Sequence, residues 1–125
     1  RKRILVIDDD LADLKLIRTV LEAEGHEVVT FEDFEKALLD AKEKMPDLVL
    51  TDVVMPKISG FDVCRKIKAM FQPKPPLVIV MTGRLDAVDP ILARKMGADD
   101  FVVKISGNAA LVQAVREIFS EKGGV

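Results

Sequence analysis

Ile4-Leu5-Val6-Ile7-Asp8-Asp9-Asp10 is the stretch that decides the fold, because four apolar residues run straight into three acids and then into a helical pattern. A short apolar run closed by polar residues reads as a strand buried on both faces, as in a parallel sheet covered by helices. The device recurs. Leu48-Val49-Leu50-Thr51 runs into Asp52, Leu77-Val78-Ile79-Val80-Met81 into Thr82-Gly83, and Phe101-Val102-Val103 into Lys104. With a further run before Glu32, the predicted strands are 3–7, 27–31, 47–52, 77–82 and 99–103.

Helical periodicity fills the intervals. Leu14, Ile17 and Leu21 share one face, as do Phe34, Ala37, Leu38 and Ala41, then Cys64, Ile67 and Phe71. Leu111, Val112, Val115, Ile118 and Phe119 give the clearest stripe, and the stretch from Val88 to Met96 the weakest, so the most mobile helix is expected there. Asp10 is placed to cap the first helix with Asp13 in its first turn, and Gly25 to end it. Pro46 stops the second helix; Pro73, Pro75 and Pro76 force an extended approach to the fourth strand. Asp86 or Asp89 caps the fourth helix, with Pro90 in its first turn and Gly97 at its end. Five strand–helix repeats with short connections predict an α/β three-layer sandwich: a five-stranded parallel sheet with right-handed crossovers. The first and third strands carry the most buried-looking runs, which suits an order of 2-1-3-4-5.

Composition bounds the rest. A chain of 125 residues makes one domain with a single substantial core. A net charge of −2 and the lack of a basic stripe give no case for direct nucleic-acid binding. The longest apolar run is far too short for a membrane span, and Asp8-Asp9-Asp10 interrupts any signal-like segment after the basic start. One cysteine, Cys64, excludes an internal disulfide, suits a reducing cytoplasm and sits in a helical apolar stripe as a buried thiol. The chain starts without an initiator Met, which suggests an excised segment and leaves neighbouring domains open. Residues 1–121 read as the domain, and 122–125 as a tail or linker start.

The chemistry lies at the strand ends. An open parallel sheet gathers the carboxyl ends of its strands on one edge, where ligands bind. Each residue has a bland reading: Asp8-Asp9-Asp10 as a helix start, Asp52 and Thr82-Gly83 as turn formers, Lys104 as a surface charge. Together they are harder to dismiss, since four of five strands end in a residue suited to one phosphate-and-metal pocket. Crowded carboxylates repel, and a hard divalent cation with oxygen ligands relieves them. His26, at the turn before the second strand, reads as a surface residue.

These residues also carry a resemblance. Ile7-Asp8-Asp9, Asp52-Val-Val-Met-Pro-Lys-Ile-Ser-Gly60, Val80-Met-Thr-Gly83 and Gly97-Ala-Asp-Asp-Phe-Val-Val-Lys104 resemble the receiver domain of two-component response regulators over essentially the whole chain. The resemblance implies a flavodoxin-like fold and transfer of a phosphoryl group from a phosphohistidine to an aspartate. By position, Asp52 is then the phosphoacceptor. Mg²⁺ is held by Asp9, by Asp8 at least partly through water, by Asp52, and by the Val54 carbonyl. Lys104 and Thr82 serve the transfer, and the Gly83 amide contacts the phosphoryl group. Thr82 and Phe101 form the switch. The implied partners are a sensor histidine kinase or phosphotransfer protein and a downstream output protein or domain, and a homodimer through the fourth helix, fifth strand and fifth helix is left open.

The chain departs from the family at three places. Ile105 stands where proline usually follows the lysine, and a trans peptide with an altered Ser106-Gly107 loop is expected, since a cis bond there costs about 3 kcal/mol. Phe101 lacks the tyrosine hydroxyl. Val54 has no side-chain group to orient water, which predicts slow self-dephosphorylation; Arg84 is near enough in sequence to reach or screen the phosphoryl oxygens. Two other readings compete with it. A receiver-like docking module without phosphorylation finds support only in Ile105. A haloacid-dehalogenase-like phosphatase would use Asp8-x-Asp10 and Thr82, but it leaves Asp52 unexplained and meets Ala12 where it needs Thr or Val.

Overall fold

Strands β1 (Arg3–Ile7), β2 (Glu27–Phe31), β3 (Leu48–Asp52), β4 (Leu77–Thr82) and β5 (Asp100–Val103) form one sheet in the order β2-β1-β3-β4-β5. All four pairings are parallel. The structure is a computed structural model that describes residues 1–104 and 107–120. The expectations for Ile105, Ser106 and the 122–125 tail therefore fall outside the described residues. Helices α1 (Leu11–Ala23), α2 (Phe34–Glu43), α3 (Gly60–Met70) and α4 (Pro90–Lys95) fill the four crossovers, with a 3₁₀ turn over Leu85–Ala87, and α5 (Ala109–Ile118) follows the last strand.

The strands are apolar throughout because both faces are covered. Ile4, Val6, Leu48, Leu50, Ile79 and Met81 pack beneath α1 and α5, against Leu14, Ile17, Leu21, Leu111, Val115 and Ile118. The alternate residues Leu5, Ile7, Val49, Val78 and Val80 face α2, α3 and α4 through Ala37, Ala41, Val63, Ile67 and Ala93. Cys64 lies in this second layer with no exposed surface, and burial pushes its thiol up to about 11, so it is inert packing.

Local chemistry sets the element ends. Asp10 caps α1 by accepting from the amides of Ala12 (2.9 Å) and Asp13 (3.1 Å). Gly25 and Gly97, at φ +93° and +94°, turn the chain out of α1 and α4 in a region other residues avoid. Asp89 caps α4, with its carboxylate accepting from the Leu92 amide, whereas Asp86 pairs with Arg84. The weak periodicity there becomes the shortest of the five helices, six residues long.

Asp47 and Asp99, expected as first residues of strands, lie just outside them. Their carboxylates accept the amides of Arg3 (2.8 Å) and Val78 (2.9 Å), so each stitches two strand starts from the side. The same amino edge of the sheet carries further ties. Arg3 pairs with Glu27 and with Asp40, and Lys68 reaches Asp99 at 2.7 Å and the Pro76 carbonyl at 2.9 Å. Arg116 grips Glu24 with two hydrogen bonds. His26 is here too, but it is partly buried and not on the open surface. Phe119 reaches under the turn, placing the two rings 5.3 Å apart, and Nδ1 accepts from the Lys2 amide.

Candidate functional site

The opposite, carboxyl edge holds the predicted chemistry. Register fixes it: Ile7 pairs with Thr51, Asp52 with Met81 and Thr82 with Val103, so Asp8, Asp52, Thr82 and Lys104 emerge from adjacent strands. Backbone bonds extend each ladder past its last residue. Asp8 N donates to the Phe31 carbonyl (3.1 Å), Val53 N to Met81 (2.9 Å) and Lys104 N to Thr82 (2.7 Å).

A cavity of about 440 Å³ opens there, its wall including Asp8, Asp9, Asp52, Val54, Thr82 and Lys104. Gly83 and Arg84 lie on its rim, so every expected site residue but one shares this space. The exception is Phe101, which is half-buried with its ring 6.2 Å from that of Phe61 and close to parallel. Arg84 is turned to Asp86 (2.7 Å) rather than to the acids.

Asp8, Asp9 and Asp52 each offer a carboxylate oxygen within 4.8 Å of the others. Asp8 is almost fully buried. Its Oδ1 accepts from the Asp10 amide (3.0 Å), whereas its Oδ2 is buried without a hydrogen-bond partner. An orphaned anionic oxygen facing two more carboxylates is the donor set of a hard cation such as Mg²⁺, and these residues fit one. Without it Asp8 and Asp52 resist ionising. Burial first, then the charge of Asp8, pushes Asp52 up to about 7 against the pull of Lys104; burial pushes Asp8 up to about 6.

Two neighbours shape this pocket. Gly60 starts α3 so close to β3 that a Cβ there would lie 2.2 Å from the Asp52 carbonyl oxygen. Thr82 is fully buried, and its hydroxyl oxygen accepts from the Arg84 amide (3.0 Å). Asp10, Asp13, Leu16, Gly107 and Asn108 also line the cavity without having been expected there, and Asp13 is the one that meets Lys104. Asp13, read only as a first-turn acid, places Oδ2 3.6 Å from Lys104 Nζ, while Asp8 Oδ2 lies at 3.8 Å. The signal was present: with Asp10 already the cap, a further acid one turn on is not needed for capping.

A doubly wound sheet with three carboxylates and a lysine gathered at its carboxyl edge defines the class of α/β protein to which this chain is assigned. The family model of the response regulator receiver domain matches residues 4–116, and the chain belongs to that family. It is 37% identical over 116 residues to the DNA-binding response regulator MtrA of Mycobacterium tuberculosis, covering 93% of this chain and 50% of MtrA. The chain thus spans about half the length of the curated relatives it matches. A receiver domain protein from Clostridium thermocellum superimposes with a TM-score of 0.85 at 36% identity, covering 98% of both chains. TrrA of Thermotoga maritima, solved with Mg²⁺ and BeF, gives 0.82 at 32% identity over 94% of this chain and 99% of TrrA. No described helix is long and apolar enough to cross a membrane.

Proposed function

We propose that Asp52 is the phosphoacceptor of this receiver domain and that Mg²⁺ is held by Asp8, Asp9, Asp52 and the Val54 carbonyl. The observation that carries the reading is the convergence of three carboxylates within 4.8 Å beside a lysine whose side chain is largely covered. An Asp52 oxygen attacks phosphorus in line, the P–N bond of a partner's phosphohistidine breaks, and its electron pair leaves on the imidazole. The cation, when bound, keeps Asp52 ionised and neutralises charge on the transferred group. The Lys104 ammonium balances the equatorial oxygens, and the Thr82 hydroxyl and Gly83 amide donate to them.

Turning the Thr82 hydroxyl to the phosphoryl group costs its bond from the Arg84 amide. Phe101 then leaves Phe61 for the space Thr82 vacates, and the face of α4, β5 and α5 changes. That face docks an output protein or domain, or a second copy of the chain, while a sensor histidine kinase or phosphotransfer protein supplies the phosphoryl group. The reading places this work in the cytoplasm and takes residues 1–121 as the working unit. With Val54 unable to orient water, the acyl phosphate hydrolyses slowly.

Intact mass after incubation with acetyl phosphate tests the core of this reading. A Mg²⁺-dependent gain of one phosphoryl group, lost in Asp52→Ala, is expected. A gain that survives in Asp52→Ala would move the acceptor elsewhere.

A further inference from the structure

We propose that Asp13 is a positioning residue: it holds Lys104 on the α1 side of the cavity in the unphosphorylated protein and must release it for phosphoryl transfer. The inference rests on the reading of Asp52 as acceptor.

Among the described residues, Lys104 forms ion pairs within 4.0 Å with Asp8 and Asp13, and none with Asp52 or Asp9. Its side chain is 9% exposed, so its stem is fixed and the ammonium has few alternative positions. Neither acid is near enough for a short hydrogen bond, so the attachment is coulombic and can be exchanged. Asp8 is meant for a cation. With its oxygens so committed, Asp13 is the carboxylate left to draw Lys104 away from Asp52. Arg84, the other cation on the wall, is occupied by Asp86.

The bland account is that Asp13 merely favours the positive end of the α1 dipole. That explains an acid in the first turn but not its placement against Lys104, because Asp10 already caps the helix. Asp13 is 46% exposed, so solvent weakens the pair and its release is cheap. Handover of Lys104 removes the counter-charge of Asp13 and leaves an uncompensated carboxylate on α1 next to the site.

The test is a double-mutant cycle on the rate of phosphorylation by acetyl phosphate with Mg²⁺, followed by intact mass because the chain has no Trp or Tyr. Asp13→Asn should phosphorylate about two- to five-fold faster, the range of an exposed pair. Asp13→Glu should stay near wild type, and Asp13→Asn should change nothing in a Lys104→Gln background. Unchanged or slower phosphorylation, or an equal gain without Lys104, would overturn the proposal. No mass gain in the wild type would sink the acceptor reading and the release step with it. The anchor itself is decided separately by melts of the metal-free protein. Non-additive effects of Asp13→Asn and Lys104→Gln support it; additive effects refute it.

Discussion

Replacing Asp52 by Asn should stabilise the metal-free protein, and by an amount that depends on pH. Asp52 ionises at about 7 in the folded chain, against 3.8 for an ordinary aspartate, because it is half-buried beside Asp8. A carboxyl raised in the fold binds its proton more tightly there than in the unfolded chain. Stability is therefore full below about pH 4, falls as pH rises through 7, and stays reduced above. The interval from 3.8 to about 7, at about 1.36 kcal/mol per pH unit, sets a ceiling of about 4 kcal/mol. Asp52 sits at the mouth of an open cavity, where water screens it, so about 2 kcal/mol is the realistic gain. For a domain of this size that is roughly 8 °C in Tm. The assay is calorimetry of wild type and Asp52→Asn in chelator from pH 4 to pH 8. The gap should be near zero at pH 4, open through pH 5–7 and be complete by pH 8, and saturating Mg²⁺ should narrow it. A gain that is the same at every pH, or absent at pH 8, would refute electrostatic crowding as its cause.

Other substitutions separate the site from its frame. Gly60→Ala puts a methyl group 2.2 Å from the Asp52 carbonyl oxygen and should cost about 3 kcal/mol or more by urea denaturation. Asp99→Ala strands the half-buried Lys68 and frees the Val78 amide, with an expected loss of about 3 kcal/mol in the same assay. Thr82→Val should shift metal-free stability by only about 1 kcal/mol, yet weaken binding of beryllofluoride measured by fluorine NMR.

Much of this was legible before any coordinates. Runs such as Leu48-Val49-Leu50-Thr51 announced two-sided burial, and the acids at their ends could only meet if the sheet was parallel, so fold and site were one inference. The strand starts were less clear, because Asp47 and Asp99 act through side chains across the sheet, which no periodicity encodes. Asp13 was legible as an acid that capping does not need, but its partner Lys104 lies 91 positions away, which no periodicity encodes either. Gly60 closes the Asp52–Gly60 motif, but its need to be glycine shows only where α3 meets β3.

The ion pairs and side-chain stitches along the amino edge have a further consequence. The amino edge of the sheet is riveted by Arg3, Asp47, Lys68, Asp99 and Arg116, while the carboxyl ends of β1 and β3 are loaded with mutually repelling acids. Opening should therefore begin at the loaded ends and stop short of the rivets, giving a gradient of amide-exchange protection along β1 and β3. A sheet hinged in this way can rework its signalling edge over and over without risking the whole fold.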